Sequence, residues 1–284
     1  MTDKIKNLIL RTLTGIIFVA VIVGGFLYGP LTFCLLFCII TALSVWEYTH
    51  IVNKQEHVTV NTFISTAAAA YLFLAFFGYC SNITPPAVFI PYLLSIIYLL
   101  ISELYLKRKS PISNWAFTML GQMYVALPFS LLSVLAFTTQ PDTLATESIN
   151  YNGFLPLSIF IFLWLSDTGA YCFGSLFGKN RLFPSISPKK SWEGFFGGLL
   201  VAVGCSQLLA MDTSLNRWEW LGLSLVVVIF GTWGDLVESL LKRQLGIKDS
   251  GNILPGHGGM LDRFDSSLLA IPAAVIYLYT ITLF

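Results

Sequence analysis

The chain has 284 residues, of which 56% are hydrophobic and 11% charged, against roughly 25% charged in ordinary soluble domains. So few charges cannot cover a water-soluble surface of this size, so the solvent is expected to be largely lipid. A formal net charge of +1 points to no polyanionic partner, and no nucleic acid is expected to bind.

The first residues, with Lys4, Lys6 and Arg11 before an apolar run, resemble a signal peptide. The run continues to Tyr28 without an obvious small-x-small cleavage site and a second apolar run follows, so an uncleaved first span is expected. A bilayer crossing needs roughly 20 apolar residues. On that basis spans are predicted at 12–28, 31–49, 60–80, 88–106, 115–138, 154–177, 195–211, 219–241 and 265–284. The fold class is therefore an all-α polytopic bundle of about nine transmembrane helices, one membrane domain over 1–284. Its first 114 residues carry little chemistry and residues 115–284 form the catalytic region.

The positive-inside tendency sets the expected orientation. With the N-terminus cytoplasmic, fifteen of the sixteen Lys and Arg residues fall on the inside and only Arg217 falls outside, which puts the C-terminus outside. Outside loops are plain, and 139–153 reads at most as a small cap. Cys34, Cys38, Cys80, Cys172 and Cys205 form no CxxC pair and read as packing residues, with neither disulfide nor zinc implied. Glu47, between Trp46 and Tyr48 at the end of the second span, reads as an interfacial anchor. Glu103 is expected to pair with Lys107 at i,i+4.

Chemistry concentrates in the second half. Asp167 follows a nearly apolar stretch and should face a polar interior. Just beyond it, Ala170, Gly174 and Gly178 recur every fourth residue and predict a close helix–helix approach. In the loop 179–194, Ser191 is placed to cap a helix with Glu193 near its start. Lys189 and Lys190 beside that helix N-terminus suit a phosphate, although an ordinary inside loop explains them equally well. On the eighth span Asp235, Glu238 and Lys242 share one face, and Gly231 and Gly234 before them leave room for a neighbouring backbone. Asp235 lies about 10 Å along the helix from Lys242, so this polar stripe reaches into the bilayer and must line a cavity or bind a partner.

The most polar stretch is 239–265. Hard divalent cations such as Mg²⁺ take carboxylate oxygens together with substrate phosphates, and Asp167, Asp235, Glu238, Asp262 and Asp265 supply carboxylates. Lys189, Lys190, Lys242, Arg243, Lys248 and Arg263 are available to neutralise phosphate. Gly258 and Gly259 offer backbone N–H groups. His257 reads as an acid, a phosphate donor or a structural residue, and these alternatives stay open. GxSxG, HExxH and a Walker-type loop are all missing, which favours direct metal-assisted phosphoryl or nucleotidyl transfer without a covalent enzyme intermediate.

The run Ser239-x-x-Lys242-Arg243, Lys248-Asp249, His257-Gly258-Gly259-x-x-Asp262-Arg263-x-Asp265 resembles the C-terminal motif of phosphatidate cytidylyltransferases. Residues 166–171 and 187–194 resemble further blocks of that family, and the N-terminal half resembles it only in hydropathy and length. The resemblance implies conversion of CTP and phosphatidate to CDP-diacylglycerol and pyrophosphate. It further implies Mg²⁺ dependence with a paired metal centre that accepts K⁺, and a homodimer. Asp235 and Asp262, with Asp265 and Glu238 close behind, would be metal ligands, and Lys242 would act with the three aspartates in catalysis. Asp167, Lys189, Lys190, Ser191, Arg243, Lys248, His257, Gly258, Gly259 and Arg263 would bind substrate. The distribution of basic residues puts the expected site at the cytoplasmic face, and the compact architecture favours a bacterial plasma membrane. Two other readings remain at this point, a CTP-dependent polyprenol or lipid kinase and an ion-coupled transporter.

Overall fold

The computed structural model describes residues 3–141, 147–210, 215–251, 253 and 258–283. Over these residues the chain is an all-helical polytopic membrane protein with two small β-hairpins. Eight helical stretches are long and apolar enough to cross a bilayer, and each matches a predicted span. The first predicted span, 12–28, falls on α1 (Asp3–Leu27), whose apolar part, Thr12–Leu27, is shorter than the other eight. By its internal contacts the chain forms two units, Met1–Pro156 with Asp249–Phe264, and Leu157–Lys248 with Asp265–Phe284.

The first unit holds α2 (Pro30–Val52), α3 (Thr62–Cys80), α4 (Ile90–Leu106), α5 (Pro111–Leu120) and α6 (Leu127–Ala136). Pro30 opens α2, where its missing N–H costs nothing. Asn61 caps α3 by accepting the Ile64 N–H at 3.1 Å. Lipid tails are as apolar as Phe, so these helices are held by packing rather than by escape from water. Phe26, Phe33, Phe37 and Phe73 pack ring on ring, with Phe26 and Phe37 centred 4.7 Å apart and Phe33 and Phe73 5.7 Å apart.

The fifth predicted span is not one regular helix. Gly121–Ala126 between α5 and α6 forms a π turn. Pro128 lacks the N–H that would bond the carbonyl of Tyr124, and the turn before it widens. The widened turn rests on α2, where Tyr48 lies against Gly121 and donates from its hydroxyl to the Phe117 carbonyl at 3.1 Å. The expected Glu103–Lys107 pair does not form. Lys107 takes a left-handed conformation, φ 47°, as the C-cap of α4, which removes it from the helical i,i+4 position. Arg108 binds the buried Glu103 instead, with Nη1 2.7 Å from Oε1, and Asn114 Nδ2 donates to Oε2 at 2.9 Å. The loop 139–153 contains a hairpin of β1 (Phe137–Pro141) and β2 (Glu147–Tyr151), paired antiparallel. The Tyr151 hydroxyl donates to the Phe26 carbonyl at 2.8 Å and ties the hairpin to α1.

The second unit is built from α7 (Phe154–Phe177), which begins in the first unit, with α8 (Trp192–Leu209), α9 (Arg217–Gln244) and α11 (Ser267–Leu283). The predicted small-residue seam is present on α7, and α8 answers it with glycines of its own. A Cβ on Gly194 would lie 2.9 Å from the Ala170 carbonyl and 3.3 Å from Gly174 Cα, and one on Gly198 would strike the Ser166 carbonyl. Backbone therefore meets backbone along this seam. A Cβ on Gly234 of α9 would lie 2.8 and 2.9 Å from the carbonyls of Asp265 and Ser266, the close approach expected there.

Helix α9 starts in a capping box. Asn216 Oδ1 accepts the Glu219 N–H at 3.0 Å and Glu219 Oε2 accepts the Asn216 N–H at 2.8 Å. It ends in a Schellman motif, in which Gly246 at φ +70° lets the Ile247 N–H reach the Lys242 carbonyl at 2.9 Å. The ninth predicted span starts differently from expectation. A four-residue turn of helix, α10 (Leu261–Phe264), precedes α11, and Asp265 and Ser266 lie between them.

Candidate active site

In the second unit the loop 179–194 holds a hairpin, β3 (Arg181–Phe183) against β4 (Ser187–Ser191). Strands this short, interrupted by Pro184 and Pro188, leave no alternating pattern for sequence to show. Its base is set by Glu193, which accepts the N–H groups of Lys179 at 3.2 Å and Asn180 at 3.1 Å and the Asn180 side-chain amide at 2.8 Å. Ser191 caps α8 as expected, accepting the Gly194 N–H at 3.2 Å. Phe183 packs edge-on against Trp233 of α9, ring centres 5.5 Å apart, which docks the hairpin on the helix that carries Asp235.

Beneath this hairpin lies a cavity of about 550 Å³. Asp167, Lys189, Lys190 and Ser191 line it together, and Arg181, for which the sequence suggested no role, joins them. Its floor is the α7–α8 glycine seam, and Tyr171, Leu182 and Phe195 add apolar wall. From the rim, Lys190 Nζ reaches Asp235 Oδ2 at 2.5 Å, and the Ser239 hydroxyl holds Asp235 Oδ1 at 3.1 Å. One turn further on, the fully buried Glu238 pairs with Lys242 at 2.5 Å. Asp265 lies within electrostatic reach of Asp235, Glu238 and Asp167, and its Oδ1 accepts the Ser266 N–H at 2.5 Å. Arg243 donates to the Ile247 carbonyl at 3.3 Å, and both it and Lys248 are exposed past the end of the helical stripe.

In the first unit, Asp262 is buried on α10, and its Oδ2 accepts the N–H groups of Ser250 and Gly259, each at 2.8 Å. Gly258 takes a left-handed φ of +83°, and a Cβ there would lie 2.6 Å from that oxygen, so the turn needs glycine. The Gly259 amide, expected to face phosphate, is thus engaged with Asp262. Arg263 points outward and is exposed. His257 lies outside the described residues.

Glu47 is not an interfacial anchor. It is 3% exposed, and its Oε2 accepts the Leu261 N–H at 2.9 Å. The bond spans 214 positions of sequence, and nothing local to Trp46–Tyr48 signals it.

Among the described residues no group of three or more His, Cys, Asp or Glu side chains is placed to hold a metal ion by itself. A ready-made shell of four carboxylates is therefore not formed by protein groups alone. The donor chemistry nevertheless suits Mg²⁺, which dehydrates reluctantly and is commonly held by one or two carboxylates completed by substrate phosphates.

The model of the cytidylyltransferase family matches residues 9–281. The chain belongs to the cytidylyltransferase family. It is 36% identical over 274 residues to a protein of Staphylococcus aureus named phosphatidate cytidylyltransferase, covering 94% of this chain and 98% of that one. A Staphylococcus haemolyticus protein of the same name is 36% identical over 272 residues, and one from Staphylococcus epidermidis is 35% identical over 271, at the same coverage. The chain is thus an enzyme of the nucleotidyltransferase class, and these relatives are bacterial.

Proposed function

We propose that this chain transfers a cytidylyl group from CTP to phosphatidate, giving CDP-diacylglycerol and pyrophosphate. The observation that carries the reading is the cavity under the β3–β4 hairpin. It gathers Arg181, Lys189 and Lys190 over a backbone floor, with Asp235 tied to its rim. Three cations around one carboxylate-edged hollow suit a polyphosphate that must meet a second anion.

A phosphate oxygen of phosphatidate attacks the α-phosphorus of CTP. The new P–O–P linkage forms as the bond to the β-phosphate oxygen breaks, and pyrophosphate leaves with the electron pair. The attacking oxygen is already anionic, so no strong general base is needed. Lys189, Lys190 and Arg181 offset the repulsion between the two anions and hold the triphosphate in line. Asp235, Glu238 and Asp265 are the acidic groups from which one or two ligands of Mg²⁺ are proposed to come, and Asp262 is proposed as a ligand on its place in the sequence motif. The ion's part, when bound, is to neutralise charge on the reacting and leaving phosphates. K⁺ at a second site, a homodimer, and a location on the cytoplasmic side of a bacterial plasma membrane belong to the same proposal. Their support is the resemblance and the distribution of basic residues.

The test is a product assay on the purified chain in phosphatidate-containing micelles with CTP and Mg²⁺. The expected outcome is pyrophosphate released in step with CDP-diacylglycerol. Release of CDP would make the protein a lipid kinase. Absence of turnover beside an active control enzyme would overturn the proposal.

A further inference from the structure

Among the described residues of the first unit, Glu47 is a carboxylate buried in a membrane helix with no Lys, Arg or His at ion-pair distance. An anion in such a place is costly unless hydrogen-bond donors surround it. Its donor comes from a distant segment. The Leu261 N–H reaches Oε2 at 2.9 Å, and Oε1 lies against Gly251 and Gly259 of that same segment.

The same segment contains Asp262. Its N–H donates to Ser250 Oγ at 3.3 Å, and its Oδ2 accepts from the Ser250 and Gly259 amides. The segment thus holds both carboxylates, with the Leu261 amide on Glu47 and the Ser250 and Gly259 amides on Asp262. The fit leaves no room for adjustment, since a Cβ on Gly251 or on Gly259 would strike Glu47 Oε1. A residue needed only to fill space at the end of α2 would not carry a charge. One needed to accept an amide that opens a short helical turn would.

We propose that Glu47 is a positioning residue for the reaction, fixing the turn 259–262 and hence the aim of the Asp262 carboxylate by accepting that turn's Leu261 N–H and packing against Gly251 and Gly259. Its activity arm rests on the proposed function. Its structural arm does not.

The experiment compares Glu47→Ala, Glu47→Gln and the unaltered full chain in detergent, by kinetics and by amide hydrogen exchange without substrate. Losing the hydrogen bond to a charged acceptor should lower kcat of Glu47→Ala by about 30-fold, with KM for CTP within about twofold because the proposed phosphate cradle is built of other residues. Exchange should quicken in peptides covering 249–264 and stay unchanged in those covering 157–248. Glu47→Gln keeps an acceptor oxygen and should regain kcat to within about fivefold of the unaltered chain. The proposal is overturned if Glu47→Ala retains its kcat and its exchange pattern, if exchange quickens throughout the chain, or if Gln is as impaired as Ala. Should the unaltered chain fail to make CDP-diacylglycerol, the proposed function falls, and the exchange comparison alone decides what Glu47 does.

Discussion

Two pairs of carboxylates, one pair in each unit, are held in different ways. In the first unit, Glu47 and Asp262 are bound by backbone amides, donors that move only if the chain itself moves. In the second, Asp235 and Glu238 are bound by lysine ammonium groups on flexible four-carbon stems. An ammonium is a rotatable point charge that can exchange one anion for another. The first arrangement suits groups that must keep one direction through turnover. The second suits groups that release a partner when a phosphate arrives.

The largest effect expected from breaking this contrast is at Asp262. Asp262→Asn should lower kcat by about 10³-fold or more, as removal of a group acting on the reacting centre does, while membrane insertion and yield stay normal. Pyrophosphate release beside quantified folded protein measures it, and retained activity would remove Asp262 from the chemistry.

Next is Lys242→Met, which strips the ammonium from the fully buried Glu238 and should cost about 3–5 kcal/mol of stability, read as a lower thermal midpoint in detergent. Pairing it with Glu238→Gln should restore folded protein but not activity. If the pair is also active, Lys242 serves only to neutralise Glu238.

The smallest effect should come from Lys190→Ala, where the partner Asp235 is partly exposed and the cavity retains Arg181 and Lys189. KM for CTP should rise about tenfold with kcat changed less. A fall in kcat at constant KM would instead give Lys190 a role in the transition state.

Much of the second unit was legible in the sequence because its signals are local. Ala170, Gly174 and Gly178 recur at helical spacing, Ser191 precedes a helix, and Gly231 and Gly234 stand just before the acidic stripe, so each could be read within a dozen residues. What escaped depends on distance or on backbone geometry. Glu47 looked like an anchor because its aromatic neighbours suit an interface, whereas its partners lie more than 200 positions away. Lys107 lost its pairing to Arg108 because the chain turns left-handed there, which a helical count does not foresee. The β3–β4 hairpin, built of three and five residues with prolines in and beside the strands, carries too little alternation to be seen, and with it the inward aim of Arg181 was missed.

The glycine seam under the cavity bears on selective inhibition. A floor made of main chain offers shape and carbonyls but no side chains whose exchange would tell one relative from another. A Cβ added at Gly198 meets the Ser166 carbonyl, so resistance by substitution at that point would disrupt the packing of α7 against α8. Compounds seated on the floor should therefore be hard for the protein to escape and poor at distinguishing its relatives. Discrimination would have to be designed against Arg181, Leu182 and the other residues of the hairpin roof.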